Sequence, residues 1–121
     1  VSLMPADEHD KILAATSHLP HILAFTMMNH LNHSTDQLGN LLRFAGSGLR
    51  DFTRIAGSSP EMWRDICLAN REALLSQMDA YQKELHALQV MLKSNDGAAL
   101  EKAFSQARNA RENWLNSKNP I

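Results

Sequence analysis

From position 60 to position 94 the chain reads PEMWRDICLANREALLSQMDAYQKELHALQVMLKS, and one mostly apolar stripe runs through it: Trp63, Cys67, Asn70, Leu74, Met78, Tyr81, Leu85, Leu88 and Leu92. Steps of four and three are those of a helix face, and their regularity is that of a coiled-coil seam. Ser58-Ser59-Pro60-Glu61 opens the segment with a serine cap, an early proline and an acid three residues after Ser58, as in a capping box. One helix from there to Ser94 would approach about 50 Å at 1.5 Å per residue.

Working outward, Ser94-Asn95-Asp96-Gly97 reads as a turn, and 98–115 as a last helix with Leu100, Ala103, Phe104, Ala107, Ala110 and Trp114 on one stripe. The short turn predicts antiparallel packing of that helix on the long one. Upstream, Pro5 followed by Asp7 and Glu8 marks a helix start that continues through Ile12, Leu19, Ile22, Phe25 and Leu31. Between Leu19 and Met28 it is apolar nearly all round, as in a central helix or one shared with a second chain. Pro20 predicts a kink there, because it lacks a backbone donor. Short helices are expected over 36–44 and 49–56, separated by the flexible Ala45-Gly46-Ser47-Gly48. Leu and Ala supply 32 residues against 11 for Val, Ile and Thr, a balance that favours helices over strands. The expected architecture is all-α, a helical bundle with one long helix, forming a single domain over 1–121.

Charge and patterning exclude several classes of function. Twelve Lys and Arg against thirteen Asp and Glu leave no basic footprint for nucleic acid. The longest apolar run, 22–28, is far short of the roughly 18 residues a membrane helix needs. The acidic, proline-containing start lacks the pattern of a secretory signal. Cys67 is the only cysteine and makes no internal disulfide, which fits a reducing cytoplasm. The chain opens on Val1, which a tag scar, processing or a cut from a longer protein would each explain, and the polar tail over 116–119 suits the start of a linker.

Two clusters carry candidate chemistry. Ser17-His18-Leu19-Pro20-His21 brackets the expected kink in the most apolar helix. Its imidazoles are either satisfied by neighbouring backbone or turned into a polar pocket that the kink opens. Arg50-Asp51-Phe52-Thr53-Arg54 follows the Gly-Ser-Gly turn. At helical spacing it is either an exposed salt-bridged face, Asp51 neutralising an arginine, or a bidentate clamp for a carboxylate. Trp63 reads as core or subunit interface. Six histidines raise the possibility of a metal-binding bundle, but no Glu-x-x-His pair, zincin motif or cysteine pair accompanies them, and no metal site is expected.

Three ordered blocks then carry a resemblance: His9-Asp10 with Ala14-Ala15-Thr16-Ser17-His18-Leu19-Pro20-His21, Gly48-Leu49-Arg50-Asp51-Phe52-Thr53-Arg54-Ile55-Ala56, and Pro60-Glu61-Met62-Trp63-Arg64-Asp65-Ile66 with Asn70. Over roughly its first 70 residues the chain resembles the C-terminal domain of prephenate dehydrogenase. The resemblance implies a fold like the C-terminal dimerisation domains of 6-phosphogluconate dehydrogenase relatives. It also implies a parent enzyme that oxidatively decarboxylates prephenate, or in some members arogenate, in tyrosine biosynthesis. NAD or NADP and the catalytic histidine would belong to an N-terminal Rossmann domain that this chain lacks, so the chain alone would be inactive. Arg54 would bind a substrate carboxylate, His21 and His18 would line the same pocket, and Arg50 and Asp51 would orient Arg54. Trp63 would reach the pocket of a partner subunit in a homodimer. Where family members often show Gly-Gly-Gly-Phe this chain has Gly46-Ser47-Gly48-Leu49, so Ser47 would set a hydroxyl beside the substrate. The alternative is a non-catalytic helical dimerisation or effector-binding module that keeps the seam without the chemistry.

Overall fold

A computed structural model describes residues 5–117, and every regular element among them is helical. Helix α1 (Ala6–Leu13) runs through a π-helical turn (Ala14–His18) into α2 (Leu19–His33). After α3 (Leu38–Leu42), α4 (Ser47–Thr53) tightens into a 3-10 turn (Arg54–Gly57), and α5 (Pro60–Ala69), α6 (Arg71–Lys93) and α7 (Gly97–Leu115) follow. The chain divides into two compact units, the first ending at Asp79 and the second beginning at Ala80, so the boundary falls inside α6.

In the first unit α2 is the organising element: the π turn continues into it, and α4 and the 3-10 turn pack closest on it. Most of its apolar side chains, Ile22, Leu23, Phe25 and Met28 among them, are half-buried. Ala14 and Ala24 are fully buried, and their small side chains let neighbouring backbone come close; Leu19, Trp63 and Leu74 complete the core.

Pro20 does not break the helix. The Leu19 N–H reaches back five residues to the Ala14 carbonyl, and the wider turn absorbs the donor that Pro20 lacks. Side chains take up carbonyls along the loosened ladder: the Thr16 hydroxyl donates to Ile12 O at 2.7 Å, and the His21 ring lies 2.8 Å from Ser17 O.

The single long helix expected over 60–94 is two helices. Asn70, at φ −117° and ψ 37°, separates α5 from α6. Its side chain donates to the Asp10 carbonyl on α1 at 2.8 Å, and this tertiary bond accompanies the local departure from helical geometry. The cap of α5 is Ser59 rather than Ser58: Ser59 Oγ accepts from the Met62 N–H at 3.3 Å, while Ser58 Oγ donates to Ile55 O and closes the 3-10 turn. The first short helix is trimmed relative to expectation, to Leu38–Leu42, while the second begins at Ser47, inside the expected turn, and passes at Arg54 into the 3-10 turn.

In the second unit the turn after α6 is well specified. Ser94 Oγ donates to Val90 O, Asn95 adopts a left-handed φ of 51° that asparagine tolerates, and Asp96 caps α7 by accepting from the Ala99 N–H. No residue of α7 is buried, and Phe104 and Trp114 are 58% and 71% exposed. Among the described residues the stripe expected to pack on the long helix therefore stays largely open, with Leu100 and Ala103 half-buried. Tyr81, Leu85 and Leu92 of the seam are exposed as well. The linker reading of 116–119 falls partly outside the described residues.

Candidate functional site

The two histidines that bracket Pro20 meet the tryptophan of α5. The Trp63 indole stacks on the His21 imidazole, with ring centroids 3.8 Å apart and planes 18° from parallel. His18 meets the same indole edge-on at 6.0 Å and 79°. Two histidines three residues apart reach one indole because the backbone from His18 into α2 is regular helix, where positions i and i+3 share a face. Trp63 is only 8% exposed. Within this chain it is seated against His18 and His21, in keeping with its reading as core or interface.

Each ring is held through its Nδ1 atom. A carbonyl only accepts, so Nδ1 of His21 carries the hydrogen in its bond to Ser17 O. His18 Nδ1 faces the Asn70 amide nitrogen at 3.2 Å. The His18 pKa lies below the ordinary histidine value, chiefly because burial penalises the charged ring; His21 nearby adds to the shift and Asp10 opposes it. Neither ring is left to ordinary solvent. The satisfied-by-backbone reading thus holds for His21 at Nδ1, while His18 is satisfied by a side chain remote in sequence.

Asn70 was not among the residues singled out for a site, and it belongs to this one. The available signal was its polarity inside the α5–α6 seam. Asn70 and Asp10 also line an open cleft of about 590 Å³ with Asp7, Lys11 and Arg71, and the mixed signs of its walls select no ligand charge. Cys67, on the same helix as Trp63, is half-buried, and burial pushes its thiol pKa up, away from the thiolate that a nucleophile needs.

The arginine cluster lies on elements that pack against α2. Arg54 opens the 3-10 turn, and that turn is among the segments closest to the helix carrying His21. Arg50, Asp51 and Ser47 sit on α4 and are exposed, as is Arg54. Because the helix tightens at Arg54, Arg50 and Arg54 do not share the face of one continuous α-helix. Among the described residues Asp51 forms no ion pair with either arginine; the ion pairs found are Arg64 with Asp65 and Arg71 with Glu72. The salt-bridged face is thus absent, and the guanidinium of Arg54 is not neutralised by a neighbouring carboxylate. No three His, Cys, Asp or Glu side chains come together in a metal-holding group among the described residues. None of the described helices is long and apolar enough to cross a membrane.

Comparison with known proteins places the chain in a family. A family model described as "Prephenate dehydrogenase, dimerization domain" matches residues 5–106. The chain is 37% identical over 109 residues to prephenate dehydrogenase of Bacillus subtilis, spanning 90% of this chain and 29% of that protein. It is 36% identical over 112 residues to cyclohexadienyl dehydrogenase of Zymomonas mobilis, spanning 92% and 38%. Among solved structures it superposes on prephenate dehydrogenase from A. aeolicus in complex with hydroxyphenyl propionate and NAD+, with a TM-score of 0.85 and 34% identity over 93% of this chain and 39% of that one. Synechocystis arogenate dehydrogenase gives a TM-score of 0.86 at 25% identity. The chain thus spans about a third of the length of these relatives. By sequence and by fold alike, this chain belongs to the prephenate dehydrogenase family and corresponds to its helical dimerisation domain.

Proposed function

We propose that residues 1–121 form the C-terminal dimerisation and substrate-binding domain of an enzyme that oxidatively decarboxylates prephenate to 4-hydroxyphenylpyruvate, or acts on arogenate, in the cytoplasm. The observation that carries this reading is the His18–His21–Trp63 cluster, locked by Ser17 and Asn70 on the helix against which the Arg54 turn packs. A locked aromatic cluster on α2 and an unneutralised guanidinium on the turn packed against that helix suit a compact anionic substrate with a flat ring.

Within that pocket Arg54 holds a substrate carboxylate, and His21 and Trp63 form the wall against which the ring is oriented. Arg50 and Asp51 set the local field, and Ser47 offers a hydroxyl at the start of α4. The contribution of this chain is binding and orientation. The nicotinamide dinucleotide, NAD or NADP, supplies hydride acceptance in the reaction. The residues described here do not fit it, because no strand is present to build the strand–glycine turn–helix cradle that holds a pyrophosphate. Its site is assigned to another part of the parent protein. The full-length protein, given prephenate or arogenate with either dinucleotide, is expected to produce the absorbance of reduced nicotinamide. Absence of that signal in all four combinations would reject the activity.

The exposed seam is the proposed homodimer contact. Tyr81, Leu85 and Leu92 leave apolar surface uncovered, and an apolar patch of this kind on one chain marks an interaction surface. Tyr81→Glu combined with Leu85→Glu is expected to turn a dimer into a monomer in sedimentation velocity, while Arg54→Ala leaves the dimer intact. A double variant that sediments as the unaltered protein does would exclude this seam.

A further inference from the structure

We infer that Asn70 is a positioning residue that fixes His18 as the neutral imidazole with its hydrogen on Nε2, so that the pocket offers a hydrogen-bond donor from His18 beside an acceptor from His21. The functional meaning rests on the pocket proposed above; the bonding pattern does not. An amide nitrogen carries two hydrogens and accepts nothing. At Asn70 one hydrogen goes to the Asp10 carbonyl oxygen at 2.8 Å, an atom that only accepts, and this settles which end of the amide is nitrogen. The other faces His18 Nδ1 at 3.2 Å, where the imidazole must present a lone pair. The hydrogen of neutral His18 is then on Nε2. His21 is set the opposite way, since its Nδ1 donates to Ser17 O and leaves a lone pair on Nε2. One ring takes its tautomer from its own helix and the other from a side chain 52 positions away.

The groups that face His18 are Asp10 of α1, His21 of α2, Trp63 of α5 and Asn70 at the α5–α6 break. A second proton on His18 would set N–H against the Asn70 N–H and place a cation beside His21, with Asp10 the one group favouring it. A neutral His18 leaves anion pairing to Arg54, so a carboxylated substrate has one charged anchor and one orientation. This explains why an asparagine interrupts an otherwise mostly apolar seam.

Histidine-selective 15N and 13C labelling of the full-length protein reads the tautomer and titration of His18 independently of turnover. The unaltered protein is expected to show the Nε2–H pattern, with a midpoint below that of an ordinary histidine. Asn70→Asp, whose carboxylate only accepts, moves the hydrogen to Nδ1 and raises the midpoint by about one pH unit or more. Asn70→Leu, similar in shape and uncharged, lets both tautomers coexist. In the same proteins the acid limb of kcat/KM against pH shifts upward with Asn70→Asp, a change that mere loosening of the fold would not produce. A hydrogen on Nδ1 in the unaltered protein, a midpoint unmoved by Asn70→Asp, or a pure Nε2–H pattern retained in Asn70→Leu would each overturn the inference. Should turnover be absent while the labelled His18 behaves as described, the positioning role is supported and the proposed activity is what falls.

Discussion

Trp63→Ala is expected to cost about 3–5 kcal/mol of stability, the usual range for deleting a buried large aromatic. The indole is one of five buried apolar side chains among the described residues, and far larger than Ala14 and Ala24. Removing it takes away the stacked face of His21 and the edge contact of His18 together, and the cavity left lies between α2 and α5. Domains of this size are stable by only about 5–15 kcal/mol, so the loss is a large share of the total. Urea unfolding checks it. The midpoint of Trp63→Ala should fall steeply, whereas Trp114→Ala, at a position 71% exposed, should fall little within the chain. Equal shifts in the two variants would mean that Trp63 is not the keystone of the first unit.

The second large effect is on substrate binding. A charge-assisted hydrogen bond contributes about 1.5–3 kcal/mol, so Arg54→Ala is expected to raise the Michaelis constant by roughly 10- to 150-fold. Among the described residues no carboxylate is paired with Arg54, so the loss is not masked by the release of an internal ion pair. Arg54→Lys keeps the charge but loses the planar fork, and it should recover only part of the affinity. Turnover should change less than the Michaelis constant, because the arginine grips a carboxylate in the ground state and the transition state alike.

How far these features were legible depends on the range over which they are determined. The helix faces were readable because the period of Trp63, Leu74, Tyr81 and Leu85 is local to the chain. The turn at Ser94 to Gly97 was readable for the same reason, Asp96 and Asn95 having the side chains that such a turn requires. The π turn was not, since a proline within an apolar helix signals trouble with the ladder without saying whether it kinks or widens. The break at Asn70 was hidden because its partner, the Asp10 carbonyl, lies 60 positions away. Ser58 and Ser59 are both good caps, and only the 3-10 turn that claims Ser58 decides between them. In the site, the motif blocks pointed to His18, His21, Arg54 and Trp63. Spacing alone did not show that Trp63 stacks on His21, nor that Asp51 leaves the arginines unpaired.

Steady-state kinetics of the full-length protein and its Arg54→Ala variant, followed by reduced-nicotinamide absorbance across a range of prephenate concentrations, tests the binding role of this domain most directly. A substrate pocket at the α2–Arg54 junction requires a Michaelis constant at least tenfold higher in the variant, with kcat changed several-fold at most. Identical Michaelis constants in the two proteins would contradict it and place the substrate carboxylate elsewhere.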